Sequence, residues 1–309
     1  MALEDSQCFV VRRAKSLDDL QWVIQLEAQE GSVLREREAE CYFTAELCPN
    51  FFIGELNGER ISCISVIRHG ETAAFVGNYL VVRAYRGQGY GQKTWKAALD
   101  GVGDCCNTQL FAAVRLKDQF QKNGFQPGWI VKRYEFTASR ALEGLGSTQL
   151  PSSVAQVFPA CEVDFEKVFA YGADMLGTSR TCKSVLAGWL SYAQESSWVA
   201  LDSKSEVVGY LIMSRSVCFS RDGYRVAPFF ADSAPIARSL LKVAGTFASK
   251  INPKDNLSLD VAADCNQDAV CILENEVGTK PGRSLVFMAT KELPTKLHAK
   301  VFGVGSLQM

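Results

Sequence analysis

Apolar and polar positions along this chain switch repeatedly between two periods. Short apolar or alternating runs at 8–13, 50–56, 61–68, 75–82, 109–114 and 129–136 predict strands. Between them the spacing turns helical. Leu20, Val23, Ile24 and Leu26 fall on one helix face behind Ser16-Leu17-Asp18-Asp19, a capping-box start, and Glu30-Gly31-Ser32 breaks that helix. A charged helix is expected over 35–45. Asn57-Gly58, set between two apolar runs, predicts a type I′ hairpin. After the run at 75–82 comes a glycine-rich turn, Arg86-Gly87-Gln88-Gly89-Tyr90-Gly91. A helix over 92–99 follows, with Trp95, Ala98 and Leu99 at helical spacing and Gly101 as its stop. A short helix over 116–123 ends at Gly124-Phe125.

Residues 138–153, rich in Gly, Ser and Leu, read as a linker. Beyond it the plan repeats. Helices are expected at 164–171 and 181–193. The run 197–201, the turn 202–205 and the run 207–214 parallel the first hairpin, FFIGEL-NGER-ISCISVI. The run 224–230 parallels the strand at 75–82, 234–248 the helix after it, and 257–261 the next strand. Runs at 285–290 and 301–304 close the pattern. Internal duplication is the simplest account, and 309 residues suit two domains. The division expected is 1–140, a linker at 141–154, and 155–309.

Composition narrows the options. A hydrophobic content of 47% with 22% charged residues is that of an ordinary globular chain. A net charge of −1 gives no field that draws the chain to nucleic acid or membrane. No apolar run has membrane-spanning length, and the acidic opening Met1-Ala2-Leu3-Glu4-Asp5 does not read as a secretion signal. The eleven cysteines form no C-x-x-C pair and read as reduced thiols of a cytoplasmic protein. Two histidines, His69 and His298, leave little for a metal site, and none is expected.

The chemistry concentrates in residues 75–99. A strand, a glycine turn and a helix N-terminus together form an anion site. Glycines aim backbone N–H groups into one concavity, and the helix end adds partial positive charge. A nucleotide P-loop needs glycine where Gln92 stands, and so does a dinucleotide fingerprint. The remaining pattern, Arg/Gln-x-x-Gly-x-Gly/Ala, is filled by Arg86, Gly89 and Gly91. The stretch LVVRAYRGQGYG resembles the acyl-CoA pyrophosphate loop of the GNAT acyltransferase superfamily, with Arg83 where proline is common. The element order over about 8–137 is similar to the GNAT fold. In the second half, Asn266-x-x-Ala269-x-x-Ile272-Leu273 with Gly278 resembles a GNAT helix one residue longer than usual. The whole chain resembles the tandem-GNAT arrangement: an α/β fold with mixed sheets, two GNAT-like domains, each a mostly antiparallel sheet flanked by helices.

The resemblance implies transfer of an acetyl group from acetyl-CoA to a small-molecule or amino-acid amine. Backbone groups of Leu80, Val81 and Val82 would pair with the pantetheine. The loop Arg86, Gly87, Gln88, Gly89, Tyr90, Gly91 and Gln92 would hold the pyrophosphate. Glu30 is the expected base, by its position at the end of the first helix. Glu27, at the same helix end, is the other leading base candidate and is expected with Asn78 on the acceptor side; Glu46 and Glu71 are weaker base candidates. Because strand residues alternate, one of Asn78 and Tyr79 should face the core. Trp95 and Trp129 read as core. The superfamily's tyrosine acid is replaced by Phe120, and the asparagine that accompanies it by Ala113. Tyr79, Tyr85 and Tyr134 are the substitutes available, with Tyr79 preferred. The second half has Ala231-Asp232-Ser233-Ala234-Pro235 in place of the glycine loop, so acyl-CoA is expected at the first half only. The absent tyrosine motivates a second reading, a non-catalytic acyl-CoA-binding sensor or scaffold.

Overall fold

The computed structural model describes residues 8–100, 106–146, 154–217, 223–293 and 299–305. In chain order the elements are β1 (Phe9–Arg13), α1 (Leu17–Gln29), β2 (Leu34–Arg35), α2 (Glu38–Thr44), β3 (Phe51–Leu56), β4 (Glu59–His69), β5 (Ala73–Val81), α3 (Tyr90–Leu99), β6 (Asn107–Ala113), α4 (Lys117–Lys122), β7 (Gln126–Thr137) and α5 (Ala138–Leu145). The second half contributes β8 (Val154–Pro159), α6 (Phe165–Leu176), α7 (Arg180–Tyr192), β9 (Ser197–Asp202), β10 (Val207–Val217), β11 (Gly223–Ala231), α8 (Ala234–Ile251), β12 (Asn256–Ala262), α9 (Gln267–Cys271), β13 (Pro281–Ala289) and β14 (Val301–Gly303).

Local signals act as chemistry dictates. Ser16 caps α1, its Oγ accepting from the Asp19 amide at 3.2 Å. Asn57 and Gly58 take φ of 52° and 85°, the pair of left-handed residues a type I′ turn needs. α9 runs directly into a π-helical turn, Ile272–Glu276. That turn absorbs the extra residue before Gly278.

Among the described residues fourteen strands form one sheet, twelve of them in the order β1-β3-β4-β5-β6-β13-β7-β12-β11-β10-β9-β8, with β14 paired to β11 and β2 to β10. The order is palindromic under the duplication, so an approximate twofold passes between β7 and β13. Those two strands are exchanged. β13 of the second half lies between β6 and β7 of the first, while β7 pairs with β12 from Asn256↔Thr137 to Ala262↔Val131. Each half thus has one parallel pair, β5 with β6 and β11 with β12, in otherwise antiparallel surroundings.

Helices cover both faces. α1, α2, α6 and α7 share one core with residues such as Ile53, Trp189, Tyr210 and Phe230. α5, α8 and α9 cover the opposite face of the second half, and α3 covers that of the first. The first half also reaches into the second. Arg35, 2% exposed, stacks on Trp189 at 4.2 Å and donates to the Ala227 carbonyl oxygen on β11.

Two expectations need correcting. The linker does not begin at 138 or 141: residues 138–145 are α5. Thr137 caps it, and Ala138, Ala141 and Leu145 are buried against the second half's core. The helical spacing of those three residues was masked by the neighbouring Gly and Ser. Residues 147–153, Gly101 and His298 lie outside the described residues. The boundary near 140 also divides the chain in sequence but not in space, because β7 and β13 cross it.

Candidate active site

β5 positions the site by pairing differently along its length. From Ala73 to Val76 it runs parallel to β6, ending at Val76↔Leu110. Past Val76 the pairing with β6 stops, while pairing with β4 continues through a register shift to Val81. Asn78 lies in that shift with φ of 48°. Asparagine tolerates this left-handed conformation when its side chain is held locally. Here its Oδ1 accepts from Ser65 Oγ at 2.8 Å, and its Nδ2 donates to Glu27. The result is a wedge between β5 and β6.

Two hollows meet in the wedge. One, about 400 Å³, lies under the glycine turn and is lined by Val81, Gly87, Gly89, Gly91 and Gln92 among others. The other, about 290 Å³, runs between the halves, against Glu27, Asn78, Leu80, Arg133, Arg225, Asp260 and Arg283 among others. Tyr79, Trp95 and Phe120 line both and form the neck. Asn78 and Tyr79 therefore both border the site, since the wedge exposes both faces of β5, contrary to the expectation that one would be core. Trp95 is half-buried at the neck, 5.1 Å from the Tyr79 ring. Trp129 is core, stacked on Phe287 at 4.1 Å.

The glycines of the loop set its backbone. Gly87 and Gly89 have φ of 78° and 83°, and a Cβ on either would meet nothing within 4 Å. Glycine is required there by the backbone, not by crowding. Gly89 also caps α3, which begins at Tyr90, two residues earlier than expected. The first-turn amides of that helix have no intrahelical acceptor. Gly91 works differently: a Cβ there would lie 2.8 Å from Tyr79 Oη and 3.0 Å from Val81 Cγ2.

Three loop and strand expectations change. Val82 offers no free backbone group, because its amide donates to Ile61 at 2.8 Å and its carbonyl accepts from Tyr85 at 2.9 Å. Gln88 points back to the Ala84 carbonyl at 3.2 Å and lines neither hollow. The Arg86 guanidinium turns away from the loop. Its Nε donates to the Val81 carbonyl at 2.9 Å, and its Nη2 pairs with Glu30 at 2.6 Å.

That pairing bears on the base. Glu30 is held as the counter-ion of Arg86. Glu27, one helical turn earlier on α1, faces the inner hollow. Burial pushes its carboxyl above the ordinary glutamate range, and nearby Glu38 adds to the shift; bonds from Asn78 and Ser32 and the Arg133 charge oppose it. Glu46 and Glu71 are exposed and line neither hollow. Glu27 and Glu30 both line the inner hollow and both are half-buried; what separates them is the partner, Arg86 for Glu30 and Asn78 of the β5 bulge for Glu27.

The acid candidates also separate. Phe120 packs at the neck against Trp95 and Phe125, with no proton to give. Tyr134 Oη is bonded to Glu274 at 2.6 Å, and Tyr85 Oη to Glu59 at 2.7 Å. Tyr79 lines the neck with no hydrogen-bond partner for its hydroxyl among the described residues, and burial raises its phenol, keeping it protonated.

The matching wedge of the second half is filled by the chain itself. β14 pairs with β11 at Phe229↔Gly303 and Phe230↔Val301, beyond the point where β11 leaves β12. The Ala231 amide donates to Lys300 O at 2.9 Å and the Val304 amide to Asp260 O at 2.8 Å. Asp232, at the position of the glycine loop, pairs with Lys300 at 2.8 Å and accepts from Tyr171 Oη at 3.0 Å. Among the described residues no His, Cys, Asp or Glu cluster could hold a metal ion, and no helix is long and apolar enough to cross a membrane.

The wedge between the parallel strands and the glycine turn at a helix N-terminus belong to a GNAT fold. Residues 15–124 match the Acetyltransferase (GNAT) family model, and the first half is a GNAT family domain. Holothin acyltransferase of Pseudoalteromonas sp. (strain SANK 73390) is 25% identical over 233 residues, covering 74% of this chain and 72% of that protein. The whole chain has the fold of a tandem GNAT protein from the clavulanic acid biosynthesis pathway. That match has a TM-score of 0.65 at 12% identity, over 94% of this chain and 100% of that one. A GCN5-related N-acetyltransferase from Sphaerobacter thermophilus superposes with a TM-score of 0.56 at 13% identity, over 93% and 96% of the two chains.

Proposed function

We propose that this protein transfers an acetyl group from acetyl-CoA to the amine of a small molecule, and that only the first half binds the cofactor. The observation that carries the reading is the open wedge beside β5, continuous with the glycine loop at one end and an enclosed carboxylate at the other. The loop amides and the α3 N-terminus would take the pyrophosphate. The β5 edge at Tyr79 and Val81 would take the pantetheine as an added strand. The acceptor enters from the inner hollow. Its amine nitrogen attacks the thioester carbonyl, the C–N bond forms and the C–S bond breaks. Glu27 takes the amine's proton, and Tyr79 gives its proton to the departing thiolate and regains one from solvent. Glu27 replaces Glu30 in the base role because Glu30 is committed to Arg86. The second half's wedge is already occupied by β14, which supports a single cofactor site. Free cysteines at every described position fit a reducing cytoplasmic setting.

Phe120 at the neck favours the second reading, an acyl-CoA sensor. Thiol release from acetyl-CoA across a panel of amines separates the two. Turnover with at least one amine is expected. Protection by coenzyme A in thermal melting with no turnover on any amine would favour the sensor, and protection by ATP but not coenzyme A would overturn both.

A further inference from the structure

The inner hollow carries more guanidinium than carboxylate. Arg133 on β7 bonds Asp260 on β12 through Nε and Nη2 at 2.8 and 2.9 Å, and Arg225 on β11 bonds the same carboxylate through Nη2 at 2.8 Å. One carboxylate thus serves two permanent cations. Arg225 is 3% exposed and lines the hollow, yet its Nη1 has no hydrogen-bond partner among the described residues. Arg283 on β13 and Arg115 line the same hollow, and neither has an ion pair among the described residues. On the acidic side, Glu30 is already paired with Arg86, and Glu27 is enclosed where its charged form is disfavoured. A buried guanidinium nitrogen without an acceptor is an open donor in a medium of low dielectric. The planar guanidinium fork matches a carboxylate in two parallel bonds.

We propose, resting on the acyl-transfer reading above, that the acceptor is a small amine that also bears a carboxylate, an amino acid or related amino carboxylate. Arg225 and Arg283 of the second half hold the carboxylate while the amine faces Glu27. The duplicated half then has a definite task. Its own cofactor wedge is closed by β14, and its strands β11 to β13 supply the anion end of the acceptor site.

The test compares matched acceptors, each amino acid against its amide and its decarboxylated amine, by thiol release at fixed acetyl-CoA. The carboxylate form is expected to have a KM lower by about tenfold or more, as the loss of a hydrogen bond to a charged group implies. Arg283→Gln should raise that KM, leave the KM for acetyl-CoA alone and spare the amides, and Arg283→Lys should restore part of the loss. Arg283 is exposed, so this variant avoids the folding penalty that Arg225→Gln risks. Equal or better use of amides and decarboxylated amines overturns the inference and leaves the acyl-transfer reading standing. Absence of turnover with every amine overturns the acyl-transfer reading instead. Calorimetric titration of the amino acids into the protein with coenzyme A then decides the hollow's chemistry, and no binding overturns the inference as well.

Discussion

A carboxylate held away from water keeps its proton to higher pH, and Glu27 is so placed. As a base it works only when ionised, so the acid limb of kcat/KM should lie above that of an ordinary glutamate. When acceptors of different basicity are compared, a limb set by the amine's own deprotonation should move with that basicity, whereas a limb set by Glu27 should stay in place. Glu27→Gln should remove this limb and lower kcat by about 10²–10⁴-fold, the usual contribution of a positioned base, with coenzyme A affinity unchanged. The stability sign follows from the same shift. A raised folded pKa means the native state favours the protonated carboxyl, a contribution present at low pH and lost as pH rises through the raised value. Glu27→Gln should therefore gain stability relative to the parent chain as pH rises, read by urea denaturation at several pH values. Tyr79→Phe should lower kcat on the proposed role; an unchanged kcat with every acceptor would assign thiolate protonation to solvent. In the sequence, the glycines of the loop were legible because their left-handed conformation belongs to the backbone. The roles of Arg86 and Glu30 were not, since side-chain pairing between α1 and the loop depends on how the helix sits over the wedge.

At the scale of elements, the two wedges differ by what fills them. β14 is a three-residue strand, too short for periodicity to prove. Its weight comes from where it lies, with Gly303 between Leu259 and Phe229. A Cβ there would meet Leu259 Cδ1 at 2.5 Å and Phe229 Cβ at 2.9 Å. Gly303→Val should cost roughly 1–3 kcal/mol by overpacking, measured by denaturant midpoint, while coenzyme A protection in the first half persists. Gly89→Asp should abolish that protection, because it strains a φ of 83° and sets a carboxylate in the proposed anion cradle. Asp232→Gly should leave it unchanged, since Asp232 serves Lys300 and Tyr171. The extra residue before Gly278 was visible in the sequence, but its absorption as a π-turn was not: an insertion in a helix can bulge, kink or shift the end, and packing against the core chooses.

For the whole molecule, the exchange of β7 and β13 makes the halves interdependent. Asp260 binds Arg133 of the first half and Arg225 of the second, and these charges hold its carboxyl well below the usual range against the opposing effect of burial. That stabilisation is present above the ordinary carboxylate pKa and is lost as pH falls through the depressed value. Asp260→Asn leaves two enclosed guanidiniums short of an anion and should cost about 3–5 kcal/mol, as breaking a buried pair does. Residues 1–146 and 147–309 expressed apart should each fail to fold cooperatively by circular dichroism, and co-expression should restore a melting transition. A cooperative transition in either piece alone would show that the exchanged strand is dispensable.

By itself the sequence determined what local chemistry can encode: the strand, glycine turn and helix of residues 75–99, the hairpins, the helix caps, and a plan used twice. These depend on periodicity, on left-handed glycines and on capping side chains, all within a few residues of one another. The tertiary structure decided what depends on distant partners: which half supplies each central strand, which wedge stays open, and which partner each carboxylate takes. Those outcomes rest on burial and pairing between residues far apart in the chain, such as Glu27 with Asn78 and Asp260 with Arg133 and Arg225, and no local pattern carries them.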